Sequence, residues 1–265
     1  MADIDNKIDL MLSRALLGEC LMSDPPSINE YRQVCLLAFY ESHQFPGRTS
    51  WMRIGSLVSM AYWIGLDRLD NVHQHGPNRA VMIEGDLEAW RIIWWFIFRL
   101  DSYANLSAST PFSIDETVIE TALPRENASG GGGRTSQGQM LPAGIDALSE
   151  LITSVMPDQR RAMLPNLHLI TIMALRQIGR PIQAQMLKQI QEQPASLASL
   201  ERQLSSLRLA FPIKYFNPLR GAAHDETSSE HHDRLITIFH FLMSRLLVAI
   251  LRCSRQHSVE EWWLN

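Results

Sequence analysis

The densest run of side chains able to do chemistry is "HDETSSEHHD", with His224, Asp225, Glu226, Glu230, His231, His232 and Asp233. Imidazoles and carboxylates together suit zinc or another divalent ion. His73 and His75 make a smaller H-x-H pair. Neither group has the H-E-x-x-H spacing of a catalytic zinc helix, and acids near a helix start are favoured by its dipole without any metal. No metal and no cofactor is therefore expected. Cys20, Cys35 and Cys253 form no C-x2-C pair, so they build no cysteine zinc module and read as reduced, buried thiols. The glycines Gly130 to Gly133 are followed by no G-K-[ST] and preceded by no strand pattern, which removes a phosphate loop. No G-x-S-x-G marks a nucleophile. General acid–base work would need a carboxylate or imidazole in a setting that displaces its pKa. Asp101 and His240, each set in an apolar run, have that potential. Their structural alternatives are an arginine pair or a helix cap for Asp101, and a hydrogen bond in the core for His240.

The elements that must position these residues are helices. Apolar residues recur at helical spacing and no convincing alternation marks a strand. Ile8, Leu12, Ala15 and Leu16 share one face. Pro25-Pro26 closes that segment, and Ser27 with Glu30 forms a capping box for a helix through Tyr31, Val34, Leu37 and Ala38. After Pro46-Gly47, a helix from about Ser50 to Ile64 turns Trp51, Ile54, Leu57, Val58 and Ala61 to one side, and Gly65 suits its C-terminal cap. Residues 70 to 85 read as a polar loop, and Asp86 caps a helix running to about Leu106. That helix holds the unbroken row Ile92-Ile93-Trp94-Trp95-Phe96-Ile97-Phe98, with Arg91 before it and Asp101 after it. Arg91 and Asp101 are about 15 Å apart along the axis, so each needs its own partner. In the back half the spacing predicts helices over about 144–155, 162–178, 181–191, 197–210 and 228–257, with Pro181 at a helix start.

Composition bounds the remaining classes. The 265 residues are 46% hydrophobic, enough for one large core or two smaller ones. Net charge is −4 and the longest basic cluster is Arg160-Arg161, so neither a nucleic-acid footprint nor a basic localisation run stands out. Asp3, Asp5 and Asp9 make the start unlike a signal peptide. The row from Ile92 to Phe98 is too short to span a bilayer, which takes about 20 apolar residues. Leu235 to Cys253 has the length, but Arg245 near its middle costs about 2.5 to 3.5 kcal/mol on insertion. No membrane is expected. "RENASGGGGRTSQGQ", Arg125 to Gln139, is a flexible linker by composition. The expected organisation is a front helical half at 1–124, the linker at 125–139, and a back helical half at 140–265 packed on the same core. The fold class is all-α, a multi-helix orthogonal bundle with a Gly/Ser-rich loop in the middle.

The order of features carries a resemblance. "TSWMRIGSLVSMAYWIGLDRLD" contains Trp51, Gly55, Ala61 and then Gly65-Leu66-Asp67-Arg68. "EAWRIIWWFIFRLDSYANLSASTPFSI" follows with Arg91, Trp94-Trp95 and Asp101, and Ile114, Ile119, Leu123 and Pro124 close the series. Over about residues 28 to 124 this resembles the middle homology region of fungal zinc binuclear cluster transcription factors. Asp67 stands where that family usually has His, and Ser109-Thr110-Pro111 where it usually has Gly-Arg-Pro.

The resemblance implies a fungal transcription regulator's regulatory domain, nuclear, acting by ligand or partner binding and controlling a metabolic gene cluster. It implies a small-molecule effector, other transcription proteins as partners, homodimerisation, and DNA contact only through a cysteine-rich module absent from these residues. An aromatic-lined helix can wall a cavity between helices, which makes Trp51, Trp95, Phe98, Asp101 and His240 the candidate ligand-binding residues. The alternative is an enzyme on the same scaffold, cyclising or isomerising an apolar small molecule by orientation, with Trp95, Asp101 and His240 at its site. Its mark would be a closed apolar pocket into which those residues point.

Overall fold

The computed structural model describes residues 26–71, 87–124, 139–142, 144–155, 166–188, 194–221 and 226–256, apart from the side chains of 154–155, 184–188, 194–196 and 254–256. The segment around Ile8 to Leu16, the His73/His75 pair, the Asp86 cap and nearly all of the 125–139 stretch lie outside the described residues. So do His224, Asp225 and the helix start expected near Ala162. Among the described residues the regular structure is entirely helical, and the fold is all-α. The chain divides into two compact units. One comprises residues 1–108 and 112–140, the other 109–111 and 141–265.

In the first unit, α1 (Ile28–Gln44) starts at the expected capping box. The Glu30 amide donates to Ser27 Oγ at 3.4 Å and the Ser27 amide to Glu30 Oε2 at 2.7 Å. Tyr31, Val34, Cys35, Leu37 and Ala38 then fall on its buried face. The Tyr31 hydroxyl donates to the Leu57 carbonyl at 2.7 Å, which satisfies its buried polar tip. That bond joins α1 to α2 (Arg48–Ile64), as does the Arg53–Glu41 ion pair at 2.6 Å. Ile54, Leu57, Val58 and Ala61 are buried as their spacing predicts. Trp51 is not: it is 42% exposed, and its indole N–H reaches Asn105 Oδ1 at 2.9 Å. The polar end of the ring keeps it at the rim, where an amide acceptor is available. Gly65 ends α2 at φ +82°, the left-handed cap only glycine takes without strain.

Helix α3 (Leu87–Ala108) is the centre of this unit and packs on both α1 and α2. Trp90, Ile93, Trp94, Trp95, Ile97, Phe98 and Leu100 are all buried, each contributing on the order of 1.5–3 kcal/mol. Ile92 breaks the pattern at 54% exposed, because an unbroken apolar row on a helix cannot turn every member inward. At the end of α3, Ser109 has φ +54°. A side chain there costs roughly 1 kcal/mol relative to glycine, the residue the family resemblance places at this position. Ser109→Gly should therefore stabilise the protein by about 0.5–1 kcal/mol, read as a raised midpoint in urea unfolding.

In the second unit, α4 (Ile145–Val155), α5 (Leu167–Lys188), α6 (Pro194–Leu209) and α7 (Ser228–Gln256) follow one another, with a 3-10 turn at Ile213–Phe216 before α7. The expected break before Pro181 is absent: one helix runs through it. Proline removes one amide donor, but Ile178, Ile182 and Gln183 are buried on either side of it. Packing on both flanks keeps the helix continuous. Helices α5 and α7 form the most extensive pair. By length and composition α7 could cross a membrane. However, Arg234, Thr237, His240 and Ser244 on one of its faces are buried within protein, as in a core helix.

Candidate functional site

The residues of the motif series converge on one arrangement in the first unit. Arg91, Trp95, Phe98 and Asp101 recur every three or four residues, which puts them on one face of α3. Against that face runs the segment Ser113 to Leu123, in the direction opposite to α3, held at three levels.

At the C-terminal level Asp101 is fully buried. Its Oδ1 accepts from the Ser113 amide at 3.0 Å and from Asn105 Nδ2 at 2.6 Å, and its Oδ2 accepts from the Ile114 amide at 3.2 Å. At the middle level the Trp95 indole donates to the Ala122 carbonyl at 2.8 Å, with Phe98 edge-on to Trp95 at 5.3 Å between ring centres. At the N-terminal level Arg91 pairs with Asp70 through two nitrogens and with Glu88 at 2.8 Å. Asp70 Oδ2 in turn accepts from the Ala122 amide at 2.8 Å. The hydrogen bonds that Arg91 donates to Asp70, ahead of the opposing effect of burial, favour the charged form of Arg91.

The turn after Gly65 completes the lock. Glu120 donates its amide to the Asp67 carbonyl at 2.6 Å, and the Asp70 amide returns a bond to the Glu120 carbonyl at 3.1 Å. Thr121 Oγ1 accepts from the Leu69 amide at 3.0 Å and donates to the Leu66 carbonyl. The motif residues thus act as a clamp on an irregular segment whose backbone groups have no ladder of their own. Asp67, at the position of the family's His, is nearly buried, and burial raises its carboxyl's pKa while Arg68 opposes. Its Oδ1 makes no hydrogen bond and lies 3.6 Å from Arg68 Nε.

Of the candidate ligand residues, Trp95, Phe98 and Asp101 meet in the clamp, and Trp51 connects to it from outside. Its indole donates to Asn105 Oδ1, and Asn105 Nδ2 donates to Asp101, so a chain of bonds runs from an exposed ring to the Ser113 and Ile114 amides. His240 belongs to the second unit. It is buried there, with Nδ1 2.9 Å from Thr171 Oγ1.

The acidic–histidine run also belongs to the second unit, and Glu226, Glu230 and His231 within it are engaged with protein groups. Glu230 forms a capping box with Thr227 at the start of α7. Glu226 is held by Arg234, at 2.8 Å from Nε and 2.6 Å from NH2, and its Oε1 also accepts from the Gly221 amide. Arg234, fully buried, further donates to the carbonyls of Tyr215, Asn217 and Leu219. It ties the connection before α7 onto that helix. An open crease of about 570 Å³ lies between α4 and α6, lined by Asp146, Ser149, Glu150, Thr153, Ser206 and Leu209.

Sequence spacing located Arg91, Trp95 and Asp101 but missed their partners. Asp70, Thr121 and Asn105 carry no motif of their own. Asn105 had a local signal, four residues after Asp101 on the same helix face. Arg234 lay one residue beyond the run read for metal ligands.

Comparison with known proteins bears on what this arrangement serves. The model of the family described as the fungal specific transcription factor domain matches residues 3–235. The citrinin biosynthesis transcriptional activator mrl3 of Monascus ruber is 28% identical over 136 residues, 50% of this chain and 24% of that protein. The pigment biosynthesis transcriptional activator pigB of Monascus ruber is 27% identical over 109 residues, 40% of this chain and 20% of that protein. The citrinin biosynthesis transcriptional activator ctnR of Monascus purpureus is 28% identical over 136 residues, 50% and 22% of the two chains. The chain spans under a quarter of the length of these relatives. No solved structure matches.

Proposed function

Because the chain belongs to the family of fungal specific transcription factor domains, we propose that it regulates transcription of a set of biosynthetic genes, as a helical regulatory domain that binds rather than catalyses. The observation that carries this is the family match across residues 3–235, in which the motif residues build the clamp on segment 113–123. The relatives whose names state control of citrinin or pigment biosynthesis support the choice of a metabolic gene set. Action is in the nucleus, together with other transcription proteins.

The input is proposed to be a small-molecule effector that meets Trp51 first. Trp51 is partly exposed, whereas Trp95, Phe98, Asp101 and His240 are closed off by protein. Displacing the Trp51 indole releases Asn105, and Asn105 shares Oδ1 of Asp101 with the Ser113 amide. An effector that binds the clamped and released states unequally would shift their populations. Catalysis has less to work with. Both Asp101 oxygens already accept hydrogen bonds, the Trp95 N–H is engaged, and His240 lies in the other unit.

The test is genome-wide. Deleting the coding sequence should change transcripts of one or a few clustered biosynthetic gene sets at least several-fold, and the tagged native protein should be recovered on their promoters. An unchanged transcriptome, with no promoter recovery, would end this reading. Trp51→Phe, which removes the N–H but keeps an aromatic ring, should leave the melting curve within about 1 kcal/mol of wild type. It should nonetheless change the response of those genes to inducing conditions; an unchanged response would remove Trp51 from the input.

A further inference from the structure

We propose that the connection from Leu209 to Leu219, between α6 and α7, is a docking surface for an acidic peptide segment of another protein, one whose carboxylates alternate with bulky apolar side chains. Leu209, Ile213 and Leu219 are 81%, 84% and 69% exposed. Among the described residues these are the three most exposed large apolar side chains, and all three stand on this one short stretch. Large apolar groups gathered on a folded surface mark a place of interaction.

The stretch is held in shape by its inward side chains. Phe211 and Tyr215 are buried with their ring centres 5.0 Å apart, and Phe211 packs edge-on to Phe241 of α7 at 5.3 Å. Arg234 gathers the carbonyls of Tyr215, Asn217 and Leu219 round one guanidinium. The backbone that carries Leu209, Ile213 and Leu219 is thus tied in both of its halves, and the three sites stay near one another. Anchoring is complete without the outward side chains, so folding alone does not call for apolar residues there. A surface fixed in advance loses little freedom when a partner binds.

Charge names the partner. From Arg202 to Gly221 the charged residues are Arg202, Arg208, Lys214 and Arg220, with no acid among them, in a chain of net charge −4. Lys214 and Arg220 are exposed and pair with no carboxylate among the described residues. Arg208 lies over the Phe216 ring at 3.7 Å, which fixes the guanidinium and leaves its N–H groups for an acceptor. Glu226 is buried and already paired with Arg234. A partner that answers both features carries carboxylates beside leucine-like side chains. Duplex DNA answers the cations alone, because its phosphates offer nothing to three exposed apolar groups. A lipid surface would answer both; the choice of a peptide rests on the transcriptional reading above, which places the chain in the nucleus.

Acids on the chain's own side set the polarity. Leu209 also borders the crease between α4 and α6, which carries Asp146 and Glu150. The partner's carboxylates must then lie toward Lys214 and Arg220, with an apolar residue against Leu209.

The experiment is fluorescence anisotropy of a labelled synthetic peptide of Asp, Leu and Phe, about 15 residues long, titrated with the full chain, beside hydrogen exchange of the complex. The expected result is saturable binding with a Kd below about 100 µM, weakened several-fold as salt rises from about 50 to 300 mM. Amides in residues 209–221 should exchange more slowly in the complex. The same peptide with Lys for Asp, and one of Asp and Ser alone, should each bind at least tenfold more weakly. Ile213→Ser with Leu219→Ser, and Lys214→Glu with Arg220→Glu, should each weaken binding at least tenfold. Leu36→Ser, at an exposed position on α1, should leave it unchanged. Absence of saturation overturns the proposal, as does binding that survives both double variants. Tighter binding to duplex DNA or to phosphatidylserine vesicles overturns the peptide as occupant. If a variant misfolds, exchange in the wild type decides: protection confined to residues outside 209–221 overturns the site. No promoter enters this assay, so its failure removes the docking surface and not the transcriptional reading, which the deletion experiment tests separately.

Discussion

Asp101→Ala is expected to destabilise the first unit by about 3 kcal/mol. The carboxylate is fully buried and accepts from two backbone amides, Ser113 and Ile114, and from Asn105. Truncation leaves the buried Ile114 amide without an acceptor, at roughly 1–3 kcal/mol, and takes the acceptor from the part-buried Ser113 amide as well. It also opens a small cavity beneath the start of the clamped segment. Asp101→Asn keeps the volume, but turns an acceptor into an NH2 group facing an N–H, so it should recover only about half of the loss. The measurement is urea unfolding joined to hydrogen exchange. In Asp101→Ala the Ser113 and Ile114 amides should exchange at least tenfold faster than the α1 amides change. A uniform rise would mean global loosening, and no change at 113 and 114 would remove Asp101 from the clamp. Transcriptional output should fall with the clamp even where the chain stays folded, because the proposed input passes through the same bonds.

The same residues show how far the sequence could be read. Local chemistry was legible: the Ser27–Glu30 box, the Gly65 cap and the apolar faces of α1 and α2 are set by neighbours within one or two turns. The polar ends of α3 were legible as needing partners, since Arg91 and Asp101 are too far apart to pair with each other. The partners themselves were not. Asp70 reaches Arg91 across 21 residues and Ser113 reaches Asp101 across 12, through a segment with no periodicity to announce it. Trp51 and Pro181 misled for opposite reasons. The indole's polar end outweighed its apolar body and held the ring at the rim. At Pro181 the burial of Ile178 and Ile182 outweighed a lost hydrogen bond. Leu235 to Cys253 of α7 was visible as an apolar run. The burial of Arg234, Phe241, Ser244, Val248 and Leu251 shows which face of it is packed.

Arg234→Met is expected to cost the second unit more, about 3–5 kcal/mol, because it strands a charge. Arg234 and Glu226 are both completely buried, and the guanidinium also satisfies the carbonyls of Tyr215, Asn217 and Leu219. Removing it strands three carbonyl acceptors and takes the arginine from the Glu226 carboxylate, which keeps only the weaker support of the Gly221 amide and His231 Nδ1. Glu226→Gln with Arg234→Met should cost less than Arg234→Met alone, since the stranded charge goes with its partner. The pH profile distinguishes charge from packing. Hydrogen bonds from Arg234, ahead of the opposing effect of burial, hold the Glu226 carboxyl at about 2 from an ordinary 4.5. A depressed folded pKa contributes stability that is complete above about pH 4.5 and is lost as pH falls toward 2. Wild type should therefore lose stability across that window, and Glu226→Gln should flatten this part of the profile. In Arg234→Met, burial acts on the carboxyl without its counter-charge and raises its pKa. The deficit of that variant should then shrink below pH 4.5, as the stranded carboxylate takes up a proton. Urea midpoints at pH 7, 5, 4 and 3 measure all three. Parallel profiles for wild type and Glu226→Gln would mean that the pair is held by packing and not by charge.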